Sequence, residues 1–187
     1  MKNRKRNRMK GFDYSSNNLY FVTICVQDKI CCFGTVISVG MAGTGRDLSE
    51  HNPDEFSKEM QLNEFGEIVK SRMNWLSEQY KYVDIHNFVI MPNHVHAIIE
   101  IDRMKLEGAS LDFTISNEEV KIKSLSSLIG AFKTTSSKII HERGFLSFAW
   151  QRSFHDHIIR NETSYMNITN YIDTNPEKWI LDTFFKK

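Results

Sequence analysis

An α+β sandwich built on one antiparallel sheet is the fold class this sequence predicts, and three observations carry the prediction. Short runs dense in β-branched and aromatic residues alternate with longer segments whose apolar residues return at helical spacing. Two such runs, 82–91 and 94–101, follow each other across Pro92-Asn93, a turn or bulge signal. The chain has 187 residues, 41% hydrophobic and 25% charged, which suits a single domain with a real core and room for an insertion.

Each element has its own justification. A basic tail at 1–10 precedes Leu19–Val26, whose β-branched and aromatic content is that of a buried strand. Ile30–Val39 is expected to extend it as a hairpin. The Gly-, Asp-, Glu- and Ser-rich stretch Gly40–Glu59 reads as an irregular insertion near 40–60, with Asn52-Pro53 as a turn. From Asn63 to Tyr80, residues Phe65, Ile68, Val69, Met73, Leu76 and Tyr80 keep helical spacing behind an acidic first turn. Tyr82–Met91 and His94–Ile101 are strands, and Met104–Lys121 is polar and irregular. Ser124 caps a helix that places Leu125, Leu128, Ile129, Phe132 and Ile139 on one face and stops at Gly144. Phe148–Ile159 reads as a strand. Asn161 caps a last helix presenting Tyr165, Ile168 and Ile172, which Pro176 cannot continue. Strand, helix, strand, strand, helix, strand is the split βαβ or ferredoxin-like order, with two helices on one face of the sheet and a C-terminal helix added.

The net charge is +1, but its distribution is uneven. Lys2, Arg4, Lys5, Arg6, Arg8 and Lys10 open the chain with no acid among them. From Lys121 to Arg160 seven Lys and Arg stand against Glu142 and Asp156, while Arg46–Glu67 holds seven acids and two bases. Basic regions of this kind are the footprint expected for a phosphate backbone, although a basic terminus is also simply a solvated tail. No apolar run approaches the roughly 20 residues that cross a bilayer. The basic start lacks the apolar stretch of a signal peptide. A cytoplasmic location is therefore expected, with Cys25, Cys31 and Cys32 as reduced thiols.

Two groupings can do chemistry. In His94-Val95-His96 the strand period puts both imidazoles on one face and Val95 on the other, a ready pair of metal ligands. Tyr171 and Asn175, four apart on the last helix, share a stripe beside the core stripe, so both can address one point. A phenolic oxygen attacks a phosphodiester once its proton is drawn off and the phosphate charge is neutralised. An amide oxygen is a reasonable hard ligand for Mg²⁺ or Mn²⁺ beside two histidines. Taken alone, each grouping also has a plain structural reading: hydrogen-bonded strand histidines, and a half-buried helix tyrosine with a capping asparagine.

The segments Phe88–Ile99, Ser127–Lys133, Trp150–Glu162 and Tyr171–Trp179 together resemble the IS200/IS605-type Y1 transposases. They are more similar to the branch of REP-associated tyrosine transposases, which Gly11–Tyr14 and Tyr20–Ile24 also fit. The likeness runs through most of the chain in order. It implies that His94 and His96 are the HUH metal motif, that Tyr171 is the nucleophile, and that Asn175 supplies a third metal-facing side chain. Tyr165, the rival tyrosine, has the wrong spacing to Asn175-Pro176. The activity implied is metal-dependent cleavage and rejoining of single-stranded DNA near hairpins through a 5′-phosphotyrosine, with Mg²⁺ or Mn²⁺ as cofactor and no nucleotide cofactor.

Lys133, Lys138, Arg143, Arg152 and Arg160 are candidate phosphate contacts, and exposed aromatics would stack the bases. Trp150, His155, Asp156 and His157 belong to a matching segment without an assigned role. The resemblance leaves a homodimer and a monomer both open. Two further readings compete with the nuclease. One is a non-catalytic single-stranded nucleic-acid-binding module of the same fold, for which the histidines and Tyr171 would be replaceable. The other is a metalloprotein acting on a small substrate, which calls for a further His, Asp or Glu ligand and a closed pocket.

Overall fold

The structure, a computed structural model, describes Met9 and residues 11–40, 56–107 and 121–185. The basic tail, apart from Met9, and residues 41–55 of the expected insertion lie outside the described residues.

Strand β1 (Asn18–Cys25) is central because its alternate residues are apolar in both directions. Tyr20, Val22 and Ile24 are fully buried on one face. Leu19 and Phe21 pack on the other. Strands β2 (Gly34–Gly40) and β3 (Phe56–Leu62) form a separate two-stranded sheet. Helix α1 (Glu64–Gln79), strands β4 (Val83–Met91) and β5 (His94–Ile101), and a single helical turn α2 (Met104–Glu107) follow. Helix α3 (Leu125–Glu142), strand β6 (His155–Ile159) and helix α4 (Glu162–Asp173) complete the order.

The main sheet runs β4-β5-β1-β6. Its pairs are all antiparallel. With α1 and α3 as the two crossovers, this is the ferredoxin-like arrangement expected from the element order. Both helices bury their stripes against the same face: Val69, Met73 and Leu76 from α1, and Leu125, Leu128, Ile129 and Phe132 from α3. The last turn of α3 buries Ile140, while Ile139 is only half-buried. Helix α4 lies over the opposite face, mainly on β4 and β5.

Three expectations need correction. Residues 30–39 do not form a hairpin with β1. Asp28 and Lys29 adopt positive φ, and the amides of Cys32 and Phe33 donate to the Pro92 carbonyl. The chain is thereby led away from β1, and 34–40 pairs with 56–62 instead. The described ends of the expected irregular insertion, Gly40 and 56–60, are strand. Finally, the strand expected over 148–159 covers only 155–159. Lys133 Nζ donates to the carbonyls of Gln151 and Ser153, 2.8 and 3.3 Å away, which holds the preceding residues as a loop. A single bridge, Val26 to Trp150, remains there.

Candidate active site

The α4 face of the sheet carries the chemistry. On β5, Val95 enters the main core while His94 and His96 point the other way, both buried. Their Nε2 atoms lie 3.0 Å apart. Each ring is oriented from behind. Asn93 donates from Nδ2 to the Lys29 and Phe184 carbonyls, 3.1 and 2.9 Å away. Its Oδ1 therefore faces His94 Nδ1 at 2.9 Å as an acceptor. His94 must carry its proton on Nδ1, leaving the Nε2 lone pair directed into the site. Thr23 Oγ1 on β1 contacts His96 Nδ1 at 2.9 Å and holds that ring, a hydroxyl being able to serve either tautomer. Burial holds His94 well below the usual imidazole range, helped by the neighbouring His96 and Lys29. It brings His96 down to about 3. Both rings are neutral at physiological pH, the form that binds a cation.

Tyr171 projects from α4 so that its hydroxyl lies 3.2 Å from His96 Nε2. Its ring packs edge-on against Phe21 and His96, and 38% of the residue remains exposed. Burial raises the phenol pKa, and the charge of Asp182 adds to this. A side-chain hydrogen bond from Asn175 works against both. Asn175 lies just beyond the end of α4, in a turn whose amide bonds back to the Ile172 carbonyl at 3.3 Å. It is buried, and its Oδ1 has no hydrogen-bond partner among the described residues. Tyr165 sits with Ile168 and Ile172 on the packed stripe and meets His86 at 3.3 Å, away from the histidine pair.

One candidate metal ligand of the site has no signal in the sequence. Asp182 is on the C-terminal segment that follows Trp179–Leu181, and its Oδ2 lies 3.9 Å from His94 Nε2. One ligand atom each from His94, His96 and Asp182 fall within 4.8 Å of one another. Phe184, from the same segment, lays its ring 4.6 Å from that of His94.

No family model matches the chain. An uncharacterised protein of Haemophilus influenzae is 32% identical over 186 residues, spanning 97% of this chain and 93% of that one. The solved structure of a REP-associated tyrosine transposase bound to a REP hairpin superposes with a TM-score of 0.51 at 18% identity, covering 96% of this chain and 74% of that one. The chain belongs to one family with the Haemophilus protein and has the IS200/IS605-like Y1 transposase fold. A second structure, from Deinococcus radiodurans, has a TM-score of 0.44 at 12% identity over 89% of this chain and 95% of that one, a likeness too weak to bear argument.

On this Y1 transposase fold the five basic residues are scattered. Lys133, Lys138 and Arg152 line one open groove of about 680 Å³. Lys138 also faces Glu142 at 4.0 Å, and Arg143 reaches Glu64 at 2.7 Å. Arg160 borders a pocket of about 400 Å³ with His157 and Asn161. Trp150 is a core anchor whose indole N–H donates to the buried Ser136 hydroxyl at 3.0 Å. His155 and His157 pair with Thr23 and Phe21 across β1, and Thr23 pairs with His96. The two exposed imidazoles therefore share the face of the histidine pair. Among the described residues, no helix is long and apolar enough to cross a membrane.

Proposed function

We propose that this protein is a metal-dependent single-stranded DNA nuclease and strand transferase, a transposase that cleaves near hairpins with Tyr171 as nucleophile. The observation that carries this reading is the Tyr171 hydroxyl 3.2 Å from the inward nitrogen of a buried, neutral histidine pair. A partly exposed phenol and two buried imidazole nitrogens then meet at one point.

The donors fit a hard divalent cation, Mg²⁺ or Mn²⁺. His94 and His96 offer lone pairs oriented from behind by Asn93 and Thr23. The buried, partnerless Oδ1 of Asn175 is the kind of atom a cation would satisfy. Bound there, the cation neutralises phosphate charge and polarises the phosphorus centre. Tyr171 Oη attacks phosphorus, the bond from phosphorus to the 3′ oxygen breaks, and that oxygen leaves as a 3′-OH. The 5′ side stays joined to the enzyme as a phosphotyrosine. Attack by a 3′-OH reverses the step and joins strands, so the link conserves energy without a nucleotide cofactor. Asn175 favours the phenolate by its hydrogen bond. Phe21 and His96 fix the ring.

The substrate strand is assigned to the open side of this face, over β1 and β6, with bases stacking on His155 and His157. Arg152 and Arg160 flank β6 and are the foremost phosphate contacts. Lys133, Lys138 and Arg143 belong to α3 and its end, on the opposite side of the sheet, each with a partner already in place. The test is incubation of hairpin DNA from the flanks of the gene with Mg²⁺ or Mn²⁺, comparing the protein with Tyr171→Phe. A metal-dependent covalent adduct that disappears in the variant supports the reading. Binding of the hairpins without any adduct would favour a non-catalytic binding module.

A further inference from the structure

The histidine pair and Asn175 are all neutral donors, yet a nearly buried carboxylate stands beside them. The Asp182 side chain is 5% exposed, with Oδ2 3.9 Å from His94 Nε2. Its other oxygen, Oδ1, accepts from the Phe184 amide at 2.6 Å, which fixes the orientation of the group. Among the described residues, no Lys or Arg nitrogen comes within 4.0 Å of it. His94 does not answer the carboxylate with a proton, because Asn93 holds the His94 proton on the far nitrogen. A largely buried carboxylate with no Lys or Arg beside it is costly, and a divalent cation between Asp182 and the imidazoles would offset that cost. Carboxylate oxygen is moreover the ligand that Mg²⁺ and Mn²⁺ prefer.

We propose that Asp182 is a further, anionic ligand of the metal site. It supplies negative charge that the neutral donors lack and ties the C-terminal segment to β5 through the ion. The segment is already held at two neighbouring carbonyls: Asn93 Nδ2, just before β5, donates to that of Phe184 at 2.9 Å, and Lys29 Nζ, just after β1, to that of Thr183 at 2.8 Å. The ion is then a clasp as well as an electrophile. This rests on the metal site proposed above, and the two are separable by experiment.

Mn²⁺ binding to the full chain without DNA is followed by electron paramagnetic resonance. Four proteins are compared: the unaltered chain, Asp182→Asn, Asp182→Glu and Asn175→Ala. Asp182→Asn keeps the shape and the oxygen that accepts from Phe184. It is expected to weaken Mn²⁺ at least about tenfold, while Asp182→Glu, which keeps the charge, loses less. Hydrogen exchange across 179–184 is expected to slow on adding Mn²⁺ to the unaltered protein but not to Asp182→Asn. Equal affinity in Asp182→Asn, with Asn175→Ala weakened, would overturn the role of Asp182 and leave the metal site standing. No Mn²⁺ binding to the unaltered chain would overturn both.

Discussion

At the scale of single residues, the site is governed by which nitrogen of each histidine carries the proton. Asn93 sets this for His94, and Thr23 holds the His96 ring from behind. Replacing Asn93 with Ala or Thr23 with Val is therefore expected to lower Mn²⁺ affinity by about 10- to 100-fold, as measured by isothermal titration. Neither residue is legible as a site residue in advance, since a turn asparagine and a strand threonine have ordinary structural uses. The same neutral histidines make the fold acid-sensitive. His96 has a folded pKa of about 3, whereas an unfolded histidine titrates near 6.5. Between those values the unfolded chain binds more protons, so stability falls as pH drops and is unaffected by this group above 6.5. For His96 alone the loss from pH 6.5 to 5 is about 2 kcal/mol, to be read from urea unfolding of the metal-free protein at the two pH values. The cysteines divide as well. Burial pushes Cys25 up to about 11 and Cys32 to about 12, while Cys31 is exposed. A disulfide reagent at pH 7.5 is expected to modify Cys31 rapidly and the other two only on unfolding.

At the scale of elements, the helices announce themselves because their starts are chemical events. Asn63, Ser124 and Asn161 each accept a hydrogen bond from the amide three residues on, the capping geometry their residue types favour. Gly144, with φ of 96°, ends the α3 region as expected of glycine. The strands were less legible where a distant group intervenes. Nothing near 148–154 shows that Lys133 will take its carbonyls. Nothing near 30–39 shows that Pro92 will take its amides. Gly66 also had no signal, yet it sets how close α1 can come. A Cβ there would stand 2.2 Å from the Phe33 carbonyl oxygen. Gly66→Ala must push α1 outward, and a cost of about 1–3 kcal/mol is expected from denaturant unfolding.

At the scale of the whole molecule, the sheet divides labour between its faces. One is closed by α1 and α3 and supplies stability; the other is partly covered by α4 and leaves β1 and β6 beside the histidine pair. The histidine spacing was legible because it lies within one strand. The Tyr171–Asn175 pair was legible because the two are close in sequence, although Asn175 falls in the turn just after α4 rather than on the helix. Asp182 was not, because only the folding back of the C-terminal segment brings it to β5. The open side predicts a division of effects: replacing His155 and His157 together with Ala should weaken single-stranded DNA binding by about 1–3 kcal/mol per lost stack. Mn²⁺ affinity should be unchanged, and fluorescence anisotropy and metal titration check the two parts. The central claim is that Tyr171 becomes covalently joined to DNA. Its most direct measurement is mass spectrometry of the digested protein after reaction with a single-stranded hairpin substrate and Mn²⁺. A nucleotide-phosphate mass on the peptide containing Tyr171, absent without metal, is the predicted result. Cleaved DNA with that peptide unmodified, or with the mass on another residue, would contradict it.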